Sequence, residues 1–97
     1  MQETICNEKK DDVAKNIGLI TGISNEIYFC SISRYSAVYV ECINGSWIAW
    51  RESHNGSKSN GYKLITNGSF ELAMARTKDY LKYIKKMQRR KFNDHTT

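Results

Sequence analysis

The dipeptide Asn44-Gly45 lies between two runs in which apolar and polar residues alternate, AVYVECI before it and SWIAWRE after it. A type I′ turn needs positive φ at both central residues, and Asn-Gly meets that need at low steric cost, so Val38 to Glu52 is read as one β-hairpin. A two-residue loop also sets the pairing: Ile43 faces Ser46, Cys42 faces Trp47, Val40 faces Ala49, and Tyr39 faces Trp50. One face of the hairpin then carries Val38, Val40, Cys42, Trp47 and Ala49. The other carries Tyr39, Ile43, Ile48 and Trp50 with Glu41 among them. A sheet with one wet face would divide more sharply, so the second face needs a cover: another segment, a second copy of the chain, or a partner.

The flanking sequence extends the hairpin into a meander. The pattern IYFCSIS from Ile27 to Ser33 reads as a strand, with a tight turn at Arg34-Tyr35 leading into the hairpin. That turn pairs Phe29 with Val40, Ile27 with Cys42, and Cys30 with Tyr39. On this register Ile27 and Phe29 join Trp47 in the core, while Tyr28, Cys30 and Ile32 share the side of Tyr39, Ile48 and Trp50. After Glu52 the stretch SHNGSKSNG has the composition of an exposed, mobile loop, and Tyr62 to Thr66 forms a fourth strand. Asn67-Gly68 turns the chain again, and Ser69 is placed to N-cap a helix with Glu71 in its first turn. The helix is expected from Phe70 to about Arg90, with Phe70, Ala73, Thr77, Tyr80, Leu81, Ile84 and Met87 in one apolar stripe and residues 91–97 as a fraying tail. Upstream, Asn7 can cap a short helix with Val13, Ala14, Ile17 and Ile20 at helical spacing, ending near Gly22. The fold expected is α+β: a single domain in which a three- or four-stranded antiparallel meander packs against a long C-terminal amphipathic helix.

A chain of 97 residues with 40% hydrophobic content belongs with globular rather than disordered sequences and has one modest core. No apolar run nears the roughly 20 residues a membrane span needs, and the opening MQETICNEKK lacks the apolar stretch of a signal peptide, which predicts a cytoplasmic protein. Cys6, Cys30 and Cys42 follow no C-x-x-C spacing, and on the register above Cys30 and Cys42 lie on opposite faces, so reduced packing thiols are expected. The triplet Asn-Gly-Ser at 44, 55 and 67 marks turns. His54 and His95 stand apart from other residues at metal-ligand spacing, Glu41 lacks the second group that acid–base chemistry requires, and no phosphate loop or Ser-His-Asp order occurs. The reading is a non-enzymatic protein without metal or cofactor.

Function then rests on surfaces. Fifteen Lys and Arg against ten Asp and Glu give a net charge of +5, which favours acidic partners. Eight of the basic residues lie between Arg76 and Lys91, with Asp79 the lone acid among them. Part of that clustering complements the helix dipole. Lys78, Lys82, Lys85, Lys86, Arg89 and Arg90, together with Tyr39 and Trp50, form the candidate set for binding a partner protein or nucleic acid. Aromatic rings beside cations on a sheet can stack bases.

The succession GSWIAWRES, a Gly-containing loop, GYKLIT and NGSFELAMARTKDYLKYI resembles a layout recurrent among small phage and mobile-element proteins: an antiparallel meander ending in an amphipathic helix begun by a Ser-capped, Ala-containing turn. Some anti-CRISPR proteins and other inhibitors of bacterial defence are similar in size and layout, over residues 27–90 of this chain. The resemblance implies stoichiometric binding, in the cytoplasm of a host cell, to a host protein or nucleoprotein complex that is blocked through a basic, aromatic-flanked surface. Direct nucleic-acid binding through the helix is the alternative, and a homodimer is one way to cover the second sheet face.

Overall fold

In a computed structural model of the chain, residues 2–54 and 61–96 are described, with side chains described over 9–54 and 61–89. Helix α1 spans Gln2–Asn16, and five strands follow: β1 Ile20–Ile23, β2 Ile27–Ser33, β3 Ser36–Ile43, β4 Ser46–Ser53 and β5 Gly61–Gly68. Helix α2, Phe70–Thr96, closes the sequence. The strands form one antiparallel sheet in the order β1-β2-β3-β4-β5. The architecture is therefore α+β, with five strands rather than three or four.

The hairpin β3–β4 has the expected pairing throughout, from Ile43 opposite Ser46 to Tyr39 opposite Trp50. Asn44 and Gly45 have φ of 52° and 82°, the left-handed pair a type I′ turn requires. At the start of α2 the Ser69 hydroxyl accepts a hydrogen bond from the Leu72 amide at 3.1 Å, three residues on, as an N-cap should. The helix buries Phe70, Ala73, Met74, Thr77 and Leu81. Met74 joins the expected stripe, whereas Met87 is 38% exposed. The helical backbone continues to Thr96, past the end expected near Arg90.

Two corrections concern the first third of the chain. Helix α1 begins ahead of Asn7 and ends at Asn16, not near Gly22. Gly18, at φ 100°, reverses the backbone there. The Leu19 amide donates to the Ala14 carbonyl at 2.9 Å and the Gly18 amide to the Lys15 carbonyl at 3.0 Å. This is a Schellman cap, completed by the contact positions Ala14 and Leu19, both buried. Ile20 consequently lies on β1, a strand the helical reading had absorbed.

The second correction is the register of β2. Ser33 pairs with Ser36 across the expected Arg34-Tyr35 turn, but Ser31 already pairs with Ala37, so an extra residue, Ile32, bulges out of β2. From there on every side chain of β2 changes face: Tyr28 pairs with Val40, Phe29 with Tyr39, and Ile27 with Glu41. Tyr28, not Phe29, enters the core. It is fully buried, with its ring centroid 6.0 Å from that of Trp47 and 6.4 Å from that of Phe70. Cys30 and Cys42 thus share the core face. Both are free. Cys30 lies opposite Val38, and Cys42 is four residues further along β3, about 13 Å away and beyond disulfide reach.

A tyrosine can be buried here because Asp11 meets its hydroxyl. The Tyr28 hydroxyl donates to Asp11 Oδ1 at 2.6 Å, and Asp11 Oδ2 accepts from Ser24 Oγ at 2.6 Å. The Asn25 amide lies 3.3 Å from Asp11 Oδ1 and 3.1 Å from the Tyr28 hydroxyl. Burial, reinforced by the bond to Asp11, pushes the Tyr28 phenol well above its ordinary value. The Ser24 hydroxyl first, then Tyr28, holds the Asp11 carboxyl below its own. A lowered carboxyl contributes stability that is complete above its ordinary value of about 4 and is lost as pH falls through the folded value. Asp11→Ala is expected to cost about 1 kcal/mol at neutral pH. The difference from wild type should shrink below about pH 4, as urea titrations across pH will show. A difference that grows on acidification would contradict this role.

Candidate functional site

The side chains of five strands divide by chemistry. Their basic residues are Arg51 and Lys63, and both turn toward α2, where they contact Tyr80. Their acidic residues are Glu41 and Glu52, and both turn away from it: Glu41 pairs with Ile48, and Glu52 accepts the indole N–H of Trp50 at 2.9 Å. The described parts of both helices lie on the same layer. Ala14 and Leu19 from the α1 end and Phe70, Ala73, Met74 and Leu81 from α2 share one core with Tyr28, Val40 and Trp47. No described segment covers the outer face.

That outer face carries a row of four rings, one per strand from β2 to β5. Phe29 and Tyr39 are cross-strand partners with centroids 6.4 Å apart, and Tyr39 and Trp50 are partners at 5.5 Å. Tyr62 follows at 6.4 Å from Trp50. It sits diagonally, because a bulge between Ala49 and Trp50 sets Leu64 opposite Trp50. Tyr62 itself and the neighbouring Ile20 and Leu64 are more than half exposed. Five strands of up to eight residues present a face of roughly 19 by 26 Å, with the row of rings across its middle.

The structure brings Tyr39 and Trp50 together as expected and adds Phe29 and Tyr62 to them. It does not join them to the cations. Lys78, Lys82, Lys85, Lys86 and Arg89 are exposed on α2, which lies behind the sheet, while the side chain of Arg90 is outside the described residues. The expected single basic and aromatic surface is two surfaces, because α2 docks on the face opposite Tyr39 and Trp50. Residues 55–60 of the expected mobile loop also lie outside the described residues.

Phe29 was hidden by the bulge at Ile32, which leaves no mark in the sequence, and Ile20 by its fit to a helical period. The visible signal for Tyr62 was the mixed alternation of β5. Among the described residues no cluster of three His, Cys, Asp or Glu gathers, and no helix is long and apolar enough to cross a membrane. No protein-family model, curated protein or solved structure matches this chain.

Proposed function

We propose that this protein is a non-enzymatic binding module that docks on a partner protein through the outer face of its sheet, with Tyr39 and Trp50 at the centre and Phe29 and Tyr62 beside them. The observation that supports it is the sorting of charge: this apolar face bears two carboxylates and, in the strands, no cation. An aromatic row edged by acids fits a partner that presents Arg or Lys beside an apolar anchor. The cation would stand over the Trp50 ring, which is the best cation–π acceptor, and pair with Glu52 at its edge. A nucleic-acid backbone fits this face poorly, since phosphates would meet carboxylates. A second copy packed face to face would bury Glu41 and Glu52 without counter-charges, at a cost of several kcal/mol. On this proposal the protein acts as a stoichiometric inhibitor of a host protein or nucleoprotein complex, with its contact on the sheet rather than on the helix.

A peptide-display selection against the folded chain tests this. Selected peptides should combine basic and apolar residues and shift the NMR signals of Tyr39 and Trp50. Glu52→Gln should weaken them about tenfold, the effect of losing one charge-assisted hydrogen bond. Acidic peptides, or peptides that map to α2, would overturn the proposal. So would a dimer in sedimentation that Trp50→Ala dissolves, since the second copy would then be the occupant.

A second reading is nucleic-acid binding along α2, supported by its five exposed cations. Contact with about five phosphates would give a log–log salt slope near −4.5. Our proposal expects weak binding of naked duplex or single strands at 150 mM salt. Sub-micromolar affinity with that slope would favour the helix.

A further inference from the structure

Arg51 and Lys63, the two basic residues of the strands, are direct cross-strand partners on β4 and β5. Like charges placed opposite each other on one face of a sheet repel. A carboxylate between them would offset this, but among the described residues neither has one. Arg51 is half-buried and donates from Nη1 to the Tyr80 hydroxyl at 2.8 Å and from Nη2 to Ser36 Oγ at 3.3 Å. Its Nε is buried without a hydrogen-bond partner among the described residues. The Lys63 ammonium stands 5.5 Å from the centroid of the Tyr80 ring. Both side chains line a cavity of about 440 Å³ between the sheet and the C-terminal half of α2, where Tyr83, Ile84 and Met87 form an apolar wall.

We propose that this cavity binds a small phosphate monoester. Arg51 and Lys63 take the phosphoryl oxygens, and the organic body lies against Tyr83, Ile84 and Met87. Three features select this ligand class. A monoester carries about −1.5 to −2 charge near neutral pH, which balances two cations where a carboxylate would leave one over. The guanidinium fork suits tetrahedral oxyanions, and a bound one would separate the opposed charges. The volume lies in the range of small-molecule sites, and its apolar wall would be left unfilled by inorganic phosphate alone. The site is on the helix side of the sheet and is independent of the protein-docking face.

Phenyl phosphate, phenol and inorganic phosphate are suitable probes, titrated against the full chain by NMR. Phenyl phosphate is expected to bind saturably with a dissociation constant below about 1 mM. It should shift Arg51, Lys63 and Tyr80, while phenol leaves them unmoved and inorganic phosphate competes weakly. Arg51→Gln should lower affinity about tenfold, the loss of one charge-assisted contact. Lys15→Gln, on the exposed side of α1, should leave affinity unchanged. Arg51→Gln also breaks the bond to Tyr80, so Lys63→Gln is the companion variant. It removes one of two repelling charges and should bind several-fold more weakly with an equal or higher melting temperature. Unchanged affinity in Lys63→Gln, equal binding of phenol and phenyl phosphate, or shifts confined to Lys82 and Lys86 would overturn the proposal.

Discussion

Trp47→Ala is expected to lower stability by about 3–5 kcal/mol, the range for emptying a large aromatic from a packed site. The indole is 6% exposed and wedged between two rings, with Phe70 edge-on at 5.0 Å and Tyr28 at 6.0 Å. Truncating it removes one of the two ring contacts, with that of Tyr28, between the sheet and Phe70 in the first turn of α2. Small domains have total stabilities of about 5–15 kcal/mol, so the variant will be near its unfolding threshold. Trp50→Ala, three residues on, is the control. Trp50 is half-buried and touches Tyr39 and Tyr62 on the open face, so about 1–2 kcal/mol is expected. Urea denaturation of both proteins gives the comparison directly, and a larger loss for Trp50 would mean that the two faces are interchanged.

Tyr28→Ala should be equally severe, at about 3–5 kcal/mol, while Phe29→Ala costs no more than about 1–2 kcal/mol. Adjacent aromatics in one strand differ so widely because Ile32 bulges and turns Tyr28 inward. The Tyr28 loss has two parts: an emptied site between Trp47 and Phe70, and an Asp11 carboxylate deprived of one of its donors. Tyr28→Phe separates them, retaining the ring and losing about 1 kcal/mol from the hydrogen bond. A denaturation midpoint for Phe29→Ala below that of Tyr28→Ala, at equal m-value, would contradict the register.

What could be read from sequence was what local chemistry determines. Asn44-Gly45 specifies its turn through φ alone, and Ser69 its cap through one hydroxyl, so both elements and the burial of Trp47 were legible. The face of Tyr28 was not, because it depends on a one-residue bulge and on Asp11, seventeen residues upstream. Gly18 was visible as a helix-stopper, yet Ile20 continued the helical period beyond it. For the candidate site, the pairing of Tyr39 with Trp50 followed from the hairpin. Their separation from Lys82 and Lys86 did not, since which face of the sheet a helix takes is decided by tertiary packing.

The strand order has a consequence in time. Each strand pairs with its neighbour in sequence, so the sheet can form by successive short closures, beginning at the two-residue Asn44-Gly45 loop. Low sequence separation lowers the entropy spent before each strand contact is gained, which favours fast formation of the sheet. The helices close longer loops, α2 through Tyr28–Phe70 and Arg51–Tyr80 and α1 through the Lys10 ammonium, which stands 5.6 Å from the Phe70 ring centroid. The Lys10–Phe70 contact closes a loop of about sixty residues, so by loop-closure entropy it is expected to form after the hairpins have set which rings face outward.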